Sequence, residues 1–191
     1  SSDLILISSS PHKAGTHTTP WQDEFDSETG RVRYYGDSKA GDLSPTTTPG
    51  NRALRSAFAM QSSPDPSVRA LAPPLVLFRR TAKGFVEFRG IGVMESLEPV
   101  TEHDPVTGVP FGNLVADIVV LDMTAEDDDF DWTWISERRD STRSAAGCLD
   151  SAPAAWRRWV EEGADALHAI RRGAPRPTAP AITEQVPEPG S

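Results

Sequence analysis

Residues 75–93 read LVLFRRTAKGFVEFRGIGV, and this stretch sets the fold class. It contains two apolar runs, Leu75–Phe78 and Phe85–Val93, whose length and aromatic or β-branched content are typical of strands. The same pattern predicts three further strands: Asp3–Ser8, which holds the run Leu4-Ile5-Leu6-Ile7, then Arg31–Tyr35 and Leu114–Met123.

Two helices complete the pattern. Asn51 can cap a helix that carries Leu54 and Phe58 at i, i+4 spacing and ends near Gln61. Ala154–Arg172 predicts a second, amphipathic helix. The apolar stripe of this helix consists of Trp156, Trp159, Val160, Leu167 and Ile170. Mostly strands with few helices, and no alternation of strand and helix, indicate an α+β or barrel-like domain.

The length of 191 residues suits one domain with its own core and flanking segments. We assign residues 1–150 to that domain and 151–172 to a C-terminal helix. Residues 173–191 contain many prolines and few apolar residues, which is typical of a linker. The segment around Trp132 and Trp134 could be helix or strand.

Composition excludes several classes of protein. No apolar run approaches the ~18 residues of a membrane span, and Ser1–Ser10 lacks the features of a signal peptide. The single cysteine, Cys148, excludes an internal disulfide and a cysteine-based zinc cluster and fits a reducing cytoplasm. Lysine occurs at only three positions, and the bias to arginine, alanine and proline suggests a GC-rich bacterial genome.

The net charge of −9 argues against a nucleic-acid binder at first sight, because phosphate contacts need lysine and arginine. Its distribution is polarised, however. The stretch from Arg31 to Arg89 holds ten basic and four acidic residues, an excess of six positive charges, whereas the remainder carries −15. A basic middle between acidic segments can still present one positive face.

The run Tyr34-Tyr35-Gly36-Asp37 is the strongest candidate for a binding site. If extended geometry continues through Gly36, strand parity places Arg33, Tyr35 and Asp37 on one face. A ring and a carboxylate on one face suit a flipped cytosine, whose amino group needs an acceptor, with Trp21 as a second wall. Other interpretations stay open: Tyr34 as core, Asp37 as a turn former, and Lys39 and Arg52 as solvated charges.

A larger set of segments falls in a familiar order and resembles the SRA-like N-terminal recognition domain of modification-dependent restriction endonucleases of the AspBHI and MspJI type. The resemblance spans Leu4 to Asp122. Its pieces are Leu4–Ile7, Pro20–Asp23 through Gly30, Tyr34–Asp37, Gly50–Leu54, Pro73–Phe78, Phe88–Val93 and Val119–Asp122.

The resemblance implies an SRA/PUA-like twisted β-barrel core that grips duplex DNA and flips 5-methylcytosine or 5-hydroxymethylcytosine. Trp21 and Tyr35 would stack on the base, Tyr34 would line the pocket, and Asp37 would accept from the cytosine amino group. The implied groove or phosphate contacts are Arg33, Lys39, Asn51 and Arg52. No cofactor or metal is implied, and a nuclease domain would follow the linker in the parent protein.

The sequence differs from the family pattern at two places. Leu114-Val115 stands where an aromatic-basic pair is expected, which puts groove contacts in doubt. A glycine-rich acidic segment expected at the N-terminus is missing. The identity of the modification, the flanking sequence preference and homo-oligomerisation are left open.

Two other functions compete with this interpretation. Asp37-Ser38-Lys39 matches the acidic-x-lysine half of a magnesium nuclease motif, with Asp23 or Asp26 as a second ligand. A protein-interaction module would instead use the acidic residues 127–131 and Trp132, Trp134, Trp156 and Trp159. His12 and His17 have no carboxylates at ligand spacing, so a metal site there is not expected.

Overall fold

The computed structural model describes residues 3–9, 23–26, 28–39, 41, 44–144 and 146–173. Its strands are β1 Ile5–Ser9, β2 Glu24–Asp26, β3 Arg31–Tyr35, β4 Leu75–Ala82, β5 Phe85–His103 and β6 Pro110–Val120. They form one mixed sheet in the order β1-β4-β5-β6-β3-β2. Only β1 and β4 pair in parallel, and the other neighbouring strands of this sheet are antiparallel.

The helices of the described chain are α1 Pro49–Gln61, α2 Pro66–Leu71, α3 Thr133–Arg139, α4 Ala154–Glu162 and α5 Leu167–Ile170. The continuous helix expected over Ala154–Arg172 is wrong: a 3₁₀ turn at Gly163–Ala166 separates α4 from α5. Gly163 adopts φ +69°, a left-handed conformation that ends α4. None of the helices in the described residues has the length and apolar character that a bilayer span requires.

Helices cover both faces of the sheet, and strand alternation decides which side chain faces which layer. On β4, Val76 packs with α3, α4 and α5, whereas Leu75 and Leu77 pack with α1. Trp134, Trp156 and Trp159 are fully buried in the first of these layers. The predicted C-terminal helical segment therefore shares its core with the sheet.

The mixed α+β class is confirmed, and so are all five strands predicted from sequence, although several of their boundaries differ. The described strands form an open sheet with β1 and β2 at its edges, so closure into a barrel stays a prediction. The largest boundary error concerns β5, because the sequence pattern predicts an end at Val93 and the strand continues to His103.

The chain from Ile170 to Gly173 leaves the helical layer and passes along the end of β6. The Arg172 N–H donates to the Val120 carbonyl (2.9 Å), and Leu121 forms an isolated bridge with Arg171. A Cβ at Gly173 would lie 2.0 Å from the Glu28 carbonyl oxygen. This segment is therefore held against the turn between β2 and β3.

Candidate nucleic-acid interface

Asp37 occupies the N-terminus of α1 from outside the helix. Its carboxylate accepts hydrogen bonds from the backbone N–H groups of Gly50 (3.1 Å) and Asn51 (3.0 Å) and from the Thr48 hydroxyl. The first N–H groups of a helix have no intrahelical acceptor, and the helix dipole favours a negative charge there. Thr48, the N-cap residue, makes no side-chain capping bond of its own. Asp37 therefore takes over the capping role and is fixed in position by it.

The Asp37 side chain keeps some acceptor capacity after capping the helix. A carboxylate has about four lone-pair sites. Among the described residues, Oδ1 accepts from Thr48 and Asn51, and Oδ2 accepts from Gly50. Asp37 lies at the surface. Its Oδ2 can therefore accept one further hydrogen bond from a ligand.

Two buried asparagines hold the loop that carries Asp37. The Asn51 amide nitrogen donates to the Ser38 hydroxyl (2.9 Å) and the Pro45 carbonyl (2.7 Å), and its oxygen accepts from the Asp37 N–H (3.1 Å). Asn113 on β6 donates to the Gly36 carbonyl (3.1 Å). Ser38, Asn51 and Asn113 have no exposed surface. Asn51 was expected to contact DNA, but it is buried and stabilises this loop through hydrogen bonds.

Glycines at two positions allow the close approach of loop and helix. A Cβ at Gly36 would lie 1.9 Å from Asn51 Oδ1, and one at Gly50 would lie 2.7 Å from Asp37 Oδ2. Real Cβ atoms do not tolerate either distance. The spacing Gly36-Asp37 followed by Gly50-Asn51 is therefore required by packing.

The two tyrosines of β3 have different surroundings. Burial raises the pKa of the half-buried Tyr34 to about 12, and the Asp23 and Asp37 carboxylates add to the shift. Tyr35 lies on the Arg33 face, where its hydroxyl contributes to the raised pKa of the Arg33 guanidinium after the larger effect of Asp117. The strand ends at Tyr35, so parity does not carry through to Asp37. Asp37 interacts electrostatically with Tyr34, which the alternation rule placed on the opposite face.

Arg33, Lys39 and Arg52 are exposed, as DNA contacts must be. Arg33 Nη1 lies 3.9 Å from the Asp117 carboxylate, at the limit of an ion pair. Arg52 Nη1 donates to the Thr47 carbonyl (2.7 Å) and so steadies the turn before α1.

The residues proposed for a metal site have other roles. The Asp23 carboxylate accepts the Tyr35 N–H (3.0 Å), and burial raises the pKa of Asp23. Asp26 Oδ1 accepts from the Glu28 and Thr29 N–H groups in the turn after β2. Across the described ranges, no three metal-ligating side chains converge. Trp21, His12 and His17 lie outside the described residues.

A cavity of about 340 Å³ adjoins the same loop. Its walls come from Pro45 and Thr46 of the loop, Phe58 on α1, and Leu97 and Leu114 on the sheet. The i, i+4 pattern of Leu54 and Phe58 predicted an apolar face for α1, but not this space beside it. Of the other residues that sequence reasoning missed, Thr48 and Gly50 flank Pro49 at the first helical turn, a position that favours proline.

Solved structures of similar proteins cover almost the whole chain. The structure of MspJI restriction endonuclease in complex with a 27-mer oligonucleotide aligns with a TM-score of 0.81 and 41% identity, over 98% of this chain and 44% of that one. The DNA modification-dependent restriction endonuclease AspBHI gives 0.66 and 26%, over 91% and 75%. The DNA recognition domain of the cytosine modification-dependent restriction endonuclease LpnPI gives 0.65 and 21%, over 93% and 74%, and supports the fold alone.

The chain thus spans less than half of the MspJI chain that it resembles. No curated protein sequence matches it significantly. The family model described as restriction endonuclease AspBHI N-terminal matches residues 2–171. The chain therefore belongs to this family, the N-terminal recognition domains of modification-dependent restriction endonucleases.

Proposed function

We propose that this chain binds duplex DNA containing a modified cytosine and is the specificity module of a modification-dependent restriction endonuclease. The observation that carries the proposal is the surface carboxylate of Asp37, held at the N-terminus of α1 with acceptor capacity left on Oδ2. Membership of the AspBHI N-terminal family supports it.

The chemistry of cytosine fits such an acceptor. The exocyclic amino group of cytosine is a hydrogen-bond donor, and it becomes accessible on all sides once the base leaves the stack. Flipping costs a few kcal/mol, which aromatic stacking offsets. A carboxylate fixed before the base arrives loses little conformational entropy on binding. Asp37 would therefore select cytosine, and the pocket walls would select its modification.

The remaining roles divide between ring contacts and backbone contacts. Trp21 and Tyr35 would stack on the flipped base, with Tyr34 lining the pocket beside Asp37. Arg33, Lys39 and Arg52 would contact phosphates, because each is basic and exposed. Asn51 positions Asp37 from the buried side of the loop.

A competition assay with matched duplexes containing cytosine, 5-methylcytosine or 5-hydroxymethylcytosine tests this function at fixed salt. We expect a preference for a modified duplex in the wild-type chain. Asp37→Asn keeps an oxygen for capping but can turn its amide NH2 towards the base, which weakens the flipped-base complex. The unmodified duplex is bound mainly through its phosphates and loses little, so the preference for the modified duplex should fall about tenfold or more. Equal binding of all three duplexes by the wild-type chain would refute the proposal.

Asp65→Asn is the matched control. Asp65 caps α2 as Asp37 caps α1, accepting the Ser67 N–H at 2.8 Å, but belongs to another surface loop. Its substitution should change stability to a similar, small extent and leave the preference for modified DNA intact. Comparing the two variants separates the loss of a helix cap from the loss of base recognition.

The same samples distinguish the competing functions. Cleavage of the modified duplex after addition of Mg²⁺ would favour the nuclease that uses Asp37 and Lys39. In our proposal, cleavage belongs to a nuclease domain linked in the parent protein. The interaction module loses three of its four proposed tryptophans, since Trp134, Trp156 and Trp159 are buried and only Trp132, at 46% exposure, remains accessible among those four.

A further inference from the structure

The turn between β4 and β5 lies at the tip of a two-stranded ribbon that extends beyond the rest of the sheet. In the described residues, β1 pairs with β4 only as far as Arg79, and β6 pairs with β5 only from Gly92 onward. Between these points β4 and β5 pair only with each other, up to the pair Ala82 and Phe85. A two-stranded ribbon without further support is marginally stable in water.

The ribbon combines exposed apolar side chains with positive charge. At its tip Phe85 is 70% exposed and Val86 is 57% exposed. Arg79, Arg80 and Lys83 surround them and are also exposed. None of the three forms a salt bridge with any residue that the structure describes.

The acidic segment Glu126–Asp131 lies at the base of the ribbon and not at its tip. Phe88 stacks on Phe130 with ring centroids 5.7 Å apart and also contacts Trp132. Gly84, in the turn at the tip, precedes Phe88 by four residues. Along an extended strand this corresponds to roughly 13 Å. This separation exceeds the ~8 Å Debye length at physiological salt, so the acidic charges are largely screened at the tip.

We propose that the ribbon Arg79–Glu87 is a second DNA contact, separate from the site around Asp37, and that its tip enters a groove of the duplex. This inference rests on the proposed function only in taking duplex DNA as the partner. A two-stranded β-ribbon fits a DNA groove. Arg79, Arg80 and Lys83 bind phosphates on the groove walls, and Phe85 and Val86 lie against the base pairs between them.

The ribbon tip lies at the start of β5, and the Asp37 loop lies near the other end of the same strand. The Asp37 loop is held by Asn113, which pairs with Val100, whereas the ribbon tip is at Phe85. Fifteen residues of strand span at most about 50 Å, or about 15 base pairs of duplex. The ribbon therefore contacts DNA within about 15 base pairs of the base that Asp37 reads.

The charged part of the interaction is tested with the triple variant Arg79→Ala, Arg80→Ala, Lys83→Ala in the 191-residue chain. Its affinity is measured between 50 and 200 mM salt on unmodified and modified duplexes. The slope of log K against log salt should decrease by up to about 2.7, or 0.9 for each phosphate that the variant no longer neutralises. The ratio of affinities for the two duplexes should not change, because the ribbon reads no modification.

A charge-matched control is the triple variant Arg139→Ala, Arg143→Ala, Arg158→Ala. It removes the same charge from the helical layer, where each arginine lies in a surface ion pair. Its salt slope should stay close to that of the wild-type chain. Equal slopes for the two triple variants would overturn the proposal.

The apolar part is tested with the double variant Phe85→Ser, Val86→Ser. It should weaken binding roughly tenfold without changing the salt slope, because it removes only apolar burial. Leu71→Ser is the matched control, since Leu71 is 52% exposed on α2, and its affinity should not change. Shortening the duplex to a few base pairs on either side of the modified base should abolish the difference between the double variant and wild type.

Other outcomes also decide the matter. The molar mass of the free protein is measured by analytical ultracentrifugation. If the ribbon variants lower it and leave the DNA affinity unchanged, the ribbon joins two copies of the chain and the proposal is wrong. If wild type does not discriminate modified from unmodified DNA but the ribbon variants have a reduced salt slope, the base-reading function fails and the ribbon interaction stands. Failure of discrimination and reduction of the salt slope are thus separate results.

Discussion

The two ends of the sheet are built on opposite principles. At the Asp37 end, Ser38, Asn51 and Asn113 are fully buried and are joined by hydrogen bonds. At the ribbon end, Phe85 and the flanking cations make no comparable contacts with the described chain. The first arrangement holds a single carboxylate through several hydrogen bonds, whereas the second leaves charge and apolar surface available to a partner.

The buried network at the Asp37 end is suited to selectivity, and the exposed charges of the ribbon are suited to affinity. A buried polar network is costly when any member is missing, so it holds one geometry and rejects others. Exposed cations attract any phosphate backbone and contribute affinity that carries no sequence information. Substitutions at the Asp37 end should therefore disturb folding and selectivity together, and those at the ribbon should leave folding intact.

The strongest test of this contrast compares two glycines. Gly36→Ala would place a Cβ 1.9 Å from Asn51 Oδ1, and the loop must move to relieve the clash. We expect a loss of about 3 kcal/mol in the free energy of unfolding, measured by urea denaturation. Gly84→Ala, at the ribbon turn, meets no atom within 4 Å and has φ +83°, so it should cost only about 1 kcal/mol. Similar losses for both variants would remove the distinction between the two ends.

A smaller effect is expected from the buried amide. Asn51→Ala leaves the Pro45 carbonyl, the Ser38 hydroxyl and the Asp37 N–H without their partner. The free energy of unfolding should fall by about 2 kcal/mol, because these groups are desolvated. Thr81→Ala in the ribbon should change it by less than about 0.5 kcal/mol. If Asn51→Ala matches the ribbon variant, the network does not hold the loop.

Tyr34→Phe is expected to have the smallest effect on the free energy of unfolding at neutral pH. Its effect appears at alkaline pH, where the Tyr34 phenol ionises. Burial raises the pKa of Tyr34 to about 12, whereas an unfolded tyrosine ionises near a pKa of about 10. The folded chain thus holds this proton more tightly, and stability falls as pH rises from about 10 to about 12. Absorbance at ~295 nm should show a late phenolate transition that Tyr34→Phe removes. If the late transition persists in the variant, it arises from another tyrosine and the prediction for Tyr34 is wrong.

Sequence reasoning identified the strands but not their lengths. Short apolar runs predicted β4 and β5, yet β5 continues through Glu98 and Pro99 because pairing with β6 stabilises residues of low strand propensity. The helical stripe of Trp156 and Trp159 was correct, since burial follows the 3.6-residue period. The break at Gly163 was not visible from that period, and at this end of α4 Arg69 donates hydrogen bonds to the Val160 and Glu161 carbonyls.

The candidate site shows the same limit. Tyr34, Asp37 and Asn51 were singled out by the local run and the family resemblance, and the structure brings them together. The capping of α1 by Asp37 joins residues 13 and 14 positions apart, and Asn113 is contributed by a strand 62 residues after Asn51. Such partners depend on sheet register, which alternation along a single strand cannot supply.

The fixed path from Ile170 to Gly173 determines where the following chain starts. Arg172 donates to the Arg89 carbonyl at the foot of the ribbon (2.8 Å), so this path is attached beside the ribbon and away from Asp37. A tethered partner explores a volume centred on its point of attachment, with an effective concentration set by tether length. Any unit joined through residues 174–191 would begin its search for DNA from the ribbon side, displaced from the surface around Asp37.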